Sequence, residues 1–243
     1  MFTSIIATAL VAAPLVAAHG KTTVFTGSEG GNGTALGVQG NVVALVGQNY
    51  QTEPDTTIFW SKDINTDQDF GFTDSSGGNL GMKDLAAAME LSGLTLPQVS
   101  ASGGSIKGSW HVVTSDGAGP LQAIIDPTAS GSFSNATDLD VTTQPPGSDG
   151  WIDTTPSAAA LAAGNGRIIE RGTRTTKRGA SRTVGKRQTA TLVDKDYDME
   201  IAIPSGIKCT GTANGQSNLC AVKVSNNNEN GPFGSVLIIQ QTS

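Results

Sequence analysis

Asp196-Tyr197-Asp198-Met199-Glu200-Ile201-Ala202-Ile203 alternates polar or small side chains with large apolar ones at a period of two. That period belongs to a β-strand with one face in water and the other on a core. Downstream, Leu219-Cys220-Ala221-Val222-Lys223-Val224 and Val236-Leu237-Ile238-Ile239 read as two further strands. Upstream, Asn41 to Val46, Thr56 to Trp60, Trp110 to Val113 and Leu121 to Ile125 have the same short, β-branched character. Between these runs the chain is crowded with Ser, Thr and Asn, and it carries 31 glycines. Many short strands joined by turns predict an all-β fold, an immunoglobulin-like β-sandwich with two short helices and long loops. One helix is expected from about Asp84 to Leu91, with Gly93 just beyond it. The other starts with Thr155 as N-cap and Pro156 in the first turn, crosses Ala158 to Ala163, and stops at Gly164. No internal repeat is present.

The two cysteines, Cys209 and Cys220, frame the turn-rich segment CTGTANGQSNLC. They predict one disulfide closing a small loop, worth about 2–3 kcal/mol. Two lone cysteines make a poor metal site. The net charge of −6 hides a segregation. Between Arg167 and Arg187 stand eight basic residues against Glu170 alone, so the rest of the chain is strongly acidic. The basic stretch has few apolar residues and no periodicity, so it cannot bury enough surface to order itself. It reads as a disordered loop, at about 164–190, inserted into an acidic domain. Its dibasic pairs ending at Arg178 and Arg187 are candidate processing sites. A nucleic-acid site would place aromatics or a recognition helix beside such charge, and neither is there.

The first 18 residues carry no charged side chain and run apolar from Ile5 to Ala18, ending in Val16-Ala17-Ala18. Small residues at the end of such a run predict a signal peptide over 1–18, cut between Ala18 and His19. The run is too short, and too interrupted by Pro14, to span a bilayer, and no later segment is apolar enough. The expected mature chain, 19–243, is one secreted β-sandwich domain, extracellular or in the cell wall. Secretion would make Asn32 and Asn135, each in an Asn-x-Thr tripeptide, glycosylation acceptors.

The chain contains two histidines. Cleavage would make His19 the first residue, where its α-amine and ring Nδ1 can close a chelate on one metal ion. Amine and imidazole nitrogens in a tetragonal arrangement suit Cu(II). His111, in a strand that runs into the Gly-rich turn Ser115 to Pro120, is the candidate third nitrogen, its ring expected at the edge of a sheet near the N-terminus. Each histidine alone is ordinary; together they predict one copper ion on His19 and His111. Other constellations are weaker. No further histidine exists for a Ser-His-Asp triad. Asp194, Asp196, Asp198 and Glu200 resemble a glycosidase pair only by number and read as a solvated strand face. GSEGGNG lacks the Lys-Ser/Thr of a phosphate loop and reads as a turn.

On these residues the sequence resembles the fungal appressorium-associated secreted virulence factors of the Egh/Mas/Gas type. The matching pieces are His19-Gly20, Asp55-Thr56-Thr57-Ile58-Phe59, Asp116-Gly117-Ala118-Gly119-Pro120 and the run from Cys209 through Gly231-Pro232-Phe233-Gly234 to Gln240-Gln241. The family usually carries more cysteines; Gly71 and Ser235 stand at two such places here. The resemblance implies secretion during host infection more firmly than it implies a reaction. A remoter similarity is to the lytic polysaccharide monooxygenases, whose mature chains begin with a copper-binding histidine. It implies metal ligands at His19 and His111, with Phe233 in the axial place. The second-shell Gln of those enzymes is unassigned. Their flat aromatic face is not identifiable, and Trp60, Trp110 and Trp151 are equally well core side chains. Three functions remain open: a copper-dependent, monooxygenase-like oxidoreductase on cell-wall polysaccharide, a copper-binding protein without turnover, and a non-enzymatic interaction protein of the cell surface or host surface.

Overall fold

The computed structural model describes residues 20–39, 55–66, 69–74, 76–152, 192–193, 195–229 and 231–243. In chain order the strands are β1 (Gly20–Gly27), β2 (Gly30–Gly33), β3 (Thr57–Ile58), β4 (Phe72–Thr73), β5 (Gly78–Asn79), β6 (Gln98–Ser100) and β7 (Gly104–Val112). They continue with β8 (Leu121–Asp126), β9 (Thr137–Leu139), β10 (Val141–Thr143), β11 (Lys195–Ile203), β12 (Gly211–Ala213), β13 (Gln216–Asn226) and β14 (Phe233–Thr242). One sheet has the order β10-β11-β7-β1-β2. The other runs β5-β4-β3-β14-β13-β8-β9, with β12 added beside β13 and β6 beside β14. All pairings are antiparallel except that of β6 with β14. The all-β sandwich expected from the sequence is therefore the fold.

The period-two stretch forms β11, and its burial follows the alternation: Met199, Ile201 and Ile203 are buried while Lys195, Asp196 and Asp198 are exposed. The run from Leu219 to Val224 does not alternate because β13 is covered on both faces. Cys220, Val222 and Val224 join the core between the sheets, with Trp110, Ile125, Leu237 and Ile239. Leu219 and Ala221 point the other way, into a second core with Phe59, Phe133, Val236 and Ile238. The expected first helix is α1 (Leu85–Leu91), preceded by a 3-10 turn at Met82–Asp84, and it closes that second core through Leu85, Ala88 and Met89. Gly93 follows it with φ +78°, the left-handed conformation that ends a helix at little cost.

Other boundaries shift. Only Thr57 and Ile58 of the Thr56 to Trp60 run are strand, and the strand ending at Val112 starts as early as Gly104. GSEGGNG is a hairpin turn plus the glycines of β2, with Gly30 and Gly31 at positive φ. Trp110 is core at 0% exposure, whereas Trp60 is 67% exposed and Trp151 39%, so two of the three tryptophans are surface residues. Lys223 lies fully buried in the second core, its ammonium 4.7 Å from the ring centres of both Phe59 and Phe133. The strand expected over Asn41 to Val46, the helix from Thr155 and the basic loop lie outside the described residues.

Candidate metal centre

β1 enters its sheet with Gly20 opposite Val112, Lys21 opposite His111 and Thr22 opposite Trp110. On the other side of β7, β11 sets Asp196 opposite His111. Lys21, His111 and Asp196 thus form one row across three strands, and directly opposite residues project to the same face. His111 Nδ1 lies 2.9 Å from Asp196 Oδ1, with the imidazole 15% and the carboxylate 63% exposed. A carboxylate accepts hydrogen bonds, so Nδ1 is the donor to Asp196, and in the neutral ring Nε2 is then the nitrogen with the lone pair. A carboxylate on the distal nitrogen is the arrangement that orients a metal-ligating histidine.

The start of β1 is held from several directions. Lys21 Nζ and Asp55 Oδ1 are 2.6 Å apart, and both side chains are almost wholly buried. Gln39 N–H donates to the other oxygen of Asp55 at 3.1 Å. A buried ammonium is tolerable only with such a partner, so the pair fixes where Lys21 sits. Thr22 N–H donates to Ser235 Oγ at 2.9 Å, joining β1 to β14 across the two sheets.

The turn after β7 is fixed by side-chain bonds to its backbone. Trp110 Nε1 donates to the Gly117 carbonyl at 2.8 Å. Asn226, 1% exposed, donates through Nδ2 to the carbonyls of Asp116 and Ala118, at 2.9 and 3.2 Å. Its Oδ1 accepts the N–H of Phe233 at 3.0 Å. Phe233, buried at 2%, therefore begins β14 at the end of the sandwich where Gly20, Val112 and His111 also lie.

His19, Ala18, Arg178 and Arg187 lie outside the described residues. Among the described residues no three His, Cys, Asp or Glu side chains group closely enough to hold a metal ion. What the fold brings together is His111, its carboxylate partner and Gly20, the residue that follows His19. β7 is the third of five strands in its sheet, and His111 lies one residue from the strand's end, where the chain runs into the Gly-rich turn. Cys209 and Cys220 form the expected disulfide, with Cα atoms 5.0 Å apart. Asn32 and Asn135 are exposed, the former accepting a hydrogen bond from Thr26 Oγ1 at 2.8 Å.

Sequence reasoning missed the roles of four residues around this constellation: Asp196, Asn226, Lys21 and Asp55. Asp196 reads correctly as a solvated residue, but its pairing with His111 depends on the β7–β11 register. Asn226 and the Lys21–Asp55 pair carry no local signal, since their partners are 108 and 34 residues away in sequence. Tyr197, opposite Trp110, donates to the Leu192 carbonyl at 2.8 Å, and burial raises its hydroxyl above the usual tyrosine value.

The family model for Egh16-like virulence factors matches residues 17–234. The appressoria-specific virulence factor GAS1 of Pyricularia oryzae is 32% identical over 237 residues, covering 98% of this chain and 77% of its own length. No solved structure matches the chain.

Proposed function

This chain is a member of the Egh16-like virulence factor family, and we propose that it is a secreted, infection-associated fungal protein carrying one copper ion at its mature N-terminus. Further, we propose that the ion serves oxidation of cell-wall polysaccharide. The observation that carries the metal reading is the pairing of Gly20 with Val112 beside an imidazole whose Nδ1 is held by Asp196. One peptide unit spans about 3.8 Å between Cα atoms, so a residue continuing β1 ahead of Gly20 would come within side-chain reach of His111. Cleavage after Ala18 would give that residue an α-amine. The amine and ring of His19 would supply two nitrogens and His111 Nε2 the third, a donor set suited to Cu(II). Phe233, buried at the start of β14, has no donor atom and would not itself hold the ion. Copper, when bound, supplies the one-electron chemistry that no side chain here provides. Secretion is supported by the apolar leader and by the disulfide, which persists in oxidising compartments.

Copper titration followed by electron paramagnetic resonance tests the site. Protein beginning at His19 is expected to bind about one equivalent in a tetragonal nitrogen environment, weakening on acidification because protons compete with the metal for its nitrogen donors. Protein with one Met ahead of His19 keeps every side chain and loses the chelating amine, so its tight binding should disappear. Equal binding by the two forms would exclude the N-terminal site. Turnover is read separately, by mass spectrometry of oxidised sugars after incubation with polysaccharide, reductant and peroxide. Copper without oxidised sugar would leave a carrier; no copper would leave an interaction protein.

A further inference from the structure

The register of β1 on β7 shifts between Thr22 and Phe25, so Gly20-Lys21-Thr22 is not held by the pairing of the residues beyond the shift. β2 pairs only with Phe25, Thr26 and Gly27, which leaves the first three residues with a strand on one side alone. Phe25 is the first apolar side chain of β1 to be buried, and apolar residues with one face to cover are what set a β-register. Beyond the ladder to β7, little else fixes this end. Gly20 excludes neighbouring registers, because a Cβ there would collide with the Gly117 carbonyl oxygen and the Trp110 ring, but it holds nothing itself. Thr22 gives its N–H to Ser235 Oγ, while its own hydroxyl is buried with no partner among the described residues. The strong contact is that of Lys21. Its ammonium lies 2.6 Å from Asp55, both residues are 1% exposed, and the second carboxylate oxygen accepts the Gln39 N–H at 3.1 Å.

We infer that the Lys21–Asp55 pair is the register pin of the mature N-terminus, the positioning contact that directs residue 19 to the face carrying His111. The inference rests on the proposed cleavage after Ala18 and on the proposed copper site. Side chains alternate along a strand, so Lys21 shares the face of His111 opposite it, and residue 19 continuing β1 would fall on that face too. A slip of one residue would send it to the other face. An ion pair fixes position more sharply than an apolar contact. Replacing a buried pair by apolar side chains commonly leaves stability unchanged, so stability alone does not account for it. Charge and hydrogen-bond geometry accept one partner at one place, since a slipped Lys21 would leave two buried charges apart. Asp55 stands two residues before β3, which pairs with β14, so the pin ties the N-terminus to the second sheet. A chain end held in this way incurs its ordering cost on folding rather than on metal binding.

The experiment compares protein beginning at His19 with its Asp55→Asn variant, by amide hydrogen exchange without metal and by copper titration. In the variant the amides of Lys21 and Thr22 should exchange roughly tenfold faster or more, while those of residues 25–27, across the register shift, keep their protection. Copper affinity should fall roughly tenfold or more, because the ion must then order residues that the pair no longer holds. The Cys209→Ala, Cys220→Ala double variant is less stable without touching β1, and well below its melting temperature its copper affinity should be that of the wild type. If Asp55→Asn does not fold, Lys21→Gln with Asp55→Asn leaves no buried charge and should show smaller losses in the same direction. Wild-type exchange at Lys21 and Thr22, wild-type copper affinity in the folded variant, or an equal loss of affinity in the disulfide variant would each overturn the inference. Should the wild type bind no copper, the metal reading falls and the pin is judged by the exchange, which needs no metal.

Discussion

A methyl group on Gly20 would sit 2.5 Å from Cζ2 of Trp110 and collide with the Gly117 carbonyl oxygen. Neither neighbour can retreat, since the indole is core and its Nε1 bonds that same carbonyl. Gly20→Ala should therefore cost about 1–3 kcal/mol, seen as a lower melting temperature. Asp196 acts more locally. Asp196→Asn should leave the melting temperature nearly unchanged, because the side chain is largely exposed, yet weaken copper binding roughly tenfold by releasing the imidazole's orientation. Tyr197 gives a pH signature of known sign. Its folded value lies above the ordinary 10.0, so the fold favours the protonated phenol. That stabilisation is complete below the ordinary value and is lost as pH rises through the folded one. Chemical denaturation across alkaline pH should show the loss, and Tyr197→Phe should flatten it.

Among elements, the hairpin of β12 and β13 is stapled by Cys209–Cys220 at its base, where both cysteines are buried. Replacing both with Ala should cost about 2–3 kcal/mol in urea unfolding. The period of β11 and the disulfide were legible because each depends on residues close in sequence. The continuous apolar run of β13 was legible as a strand, but its two-sided burial was not, since periodicity is silent about what covers a face. β1 was missed for a physical reason. Lys21, Thr22 and Thr23 look like surface residues, yet Lys21 is buried by pairing with Asp55 and Thr22 is covered by β14. The partners that make such a strand tolerable are remote, so no window around it contains the signal.

For the whole molecule, the order β10-β11-β7 means that chain from after the basic segment lies between two strands from before it. The disulfide lies wholly after that segment and cannot link fragments across a cut there. If the chain is cut at Lys177-Arg178 or Lys186-Arg187, both pieces should stay together in one native size-exclusion peak and separate on a denaturing, non-reducing gel. Two native peaks would mean that β11 is held less firmly than its nine paired positions along β7 require. The sequence by itself determined the all-β class, the helix near residue 85, the cysteine pair and the scarcity of histidines, because local period, composition and counting set these. Only tertiary structure decided that His111 meets Asp196, that Trp110 is core while Trp60 is surface, and that Phe233 begins its strand at the histidine's end of the sandwich. Those facts depend on strand order and register, which are fixed by contacts between residues far apart in the chain.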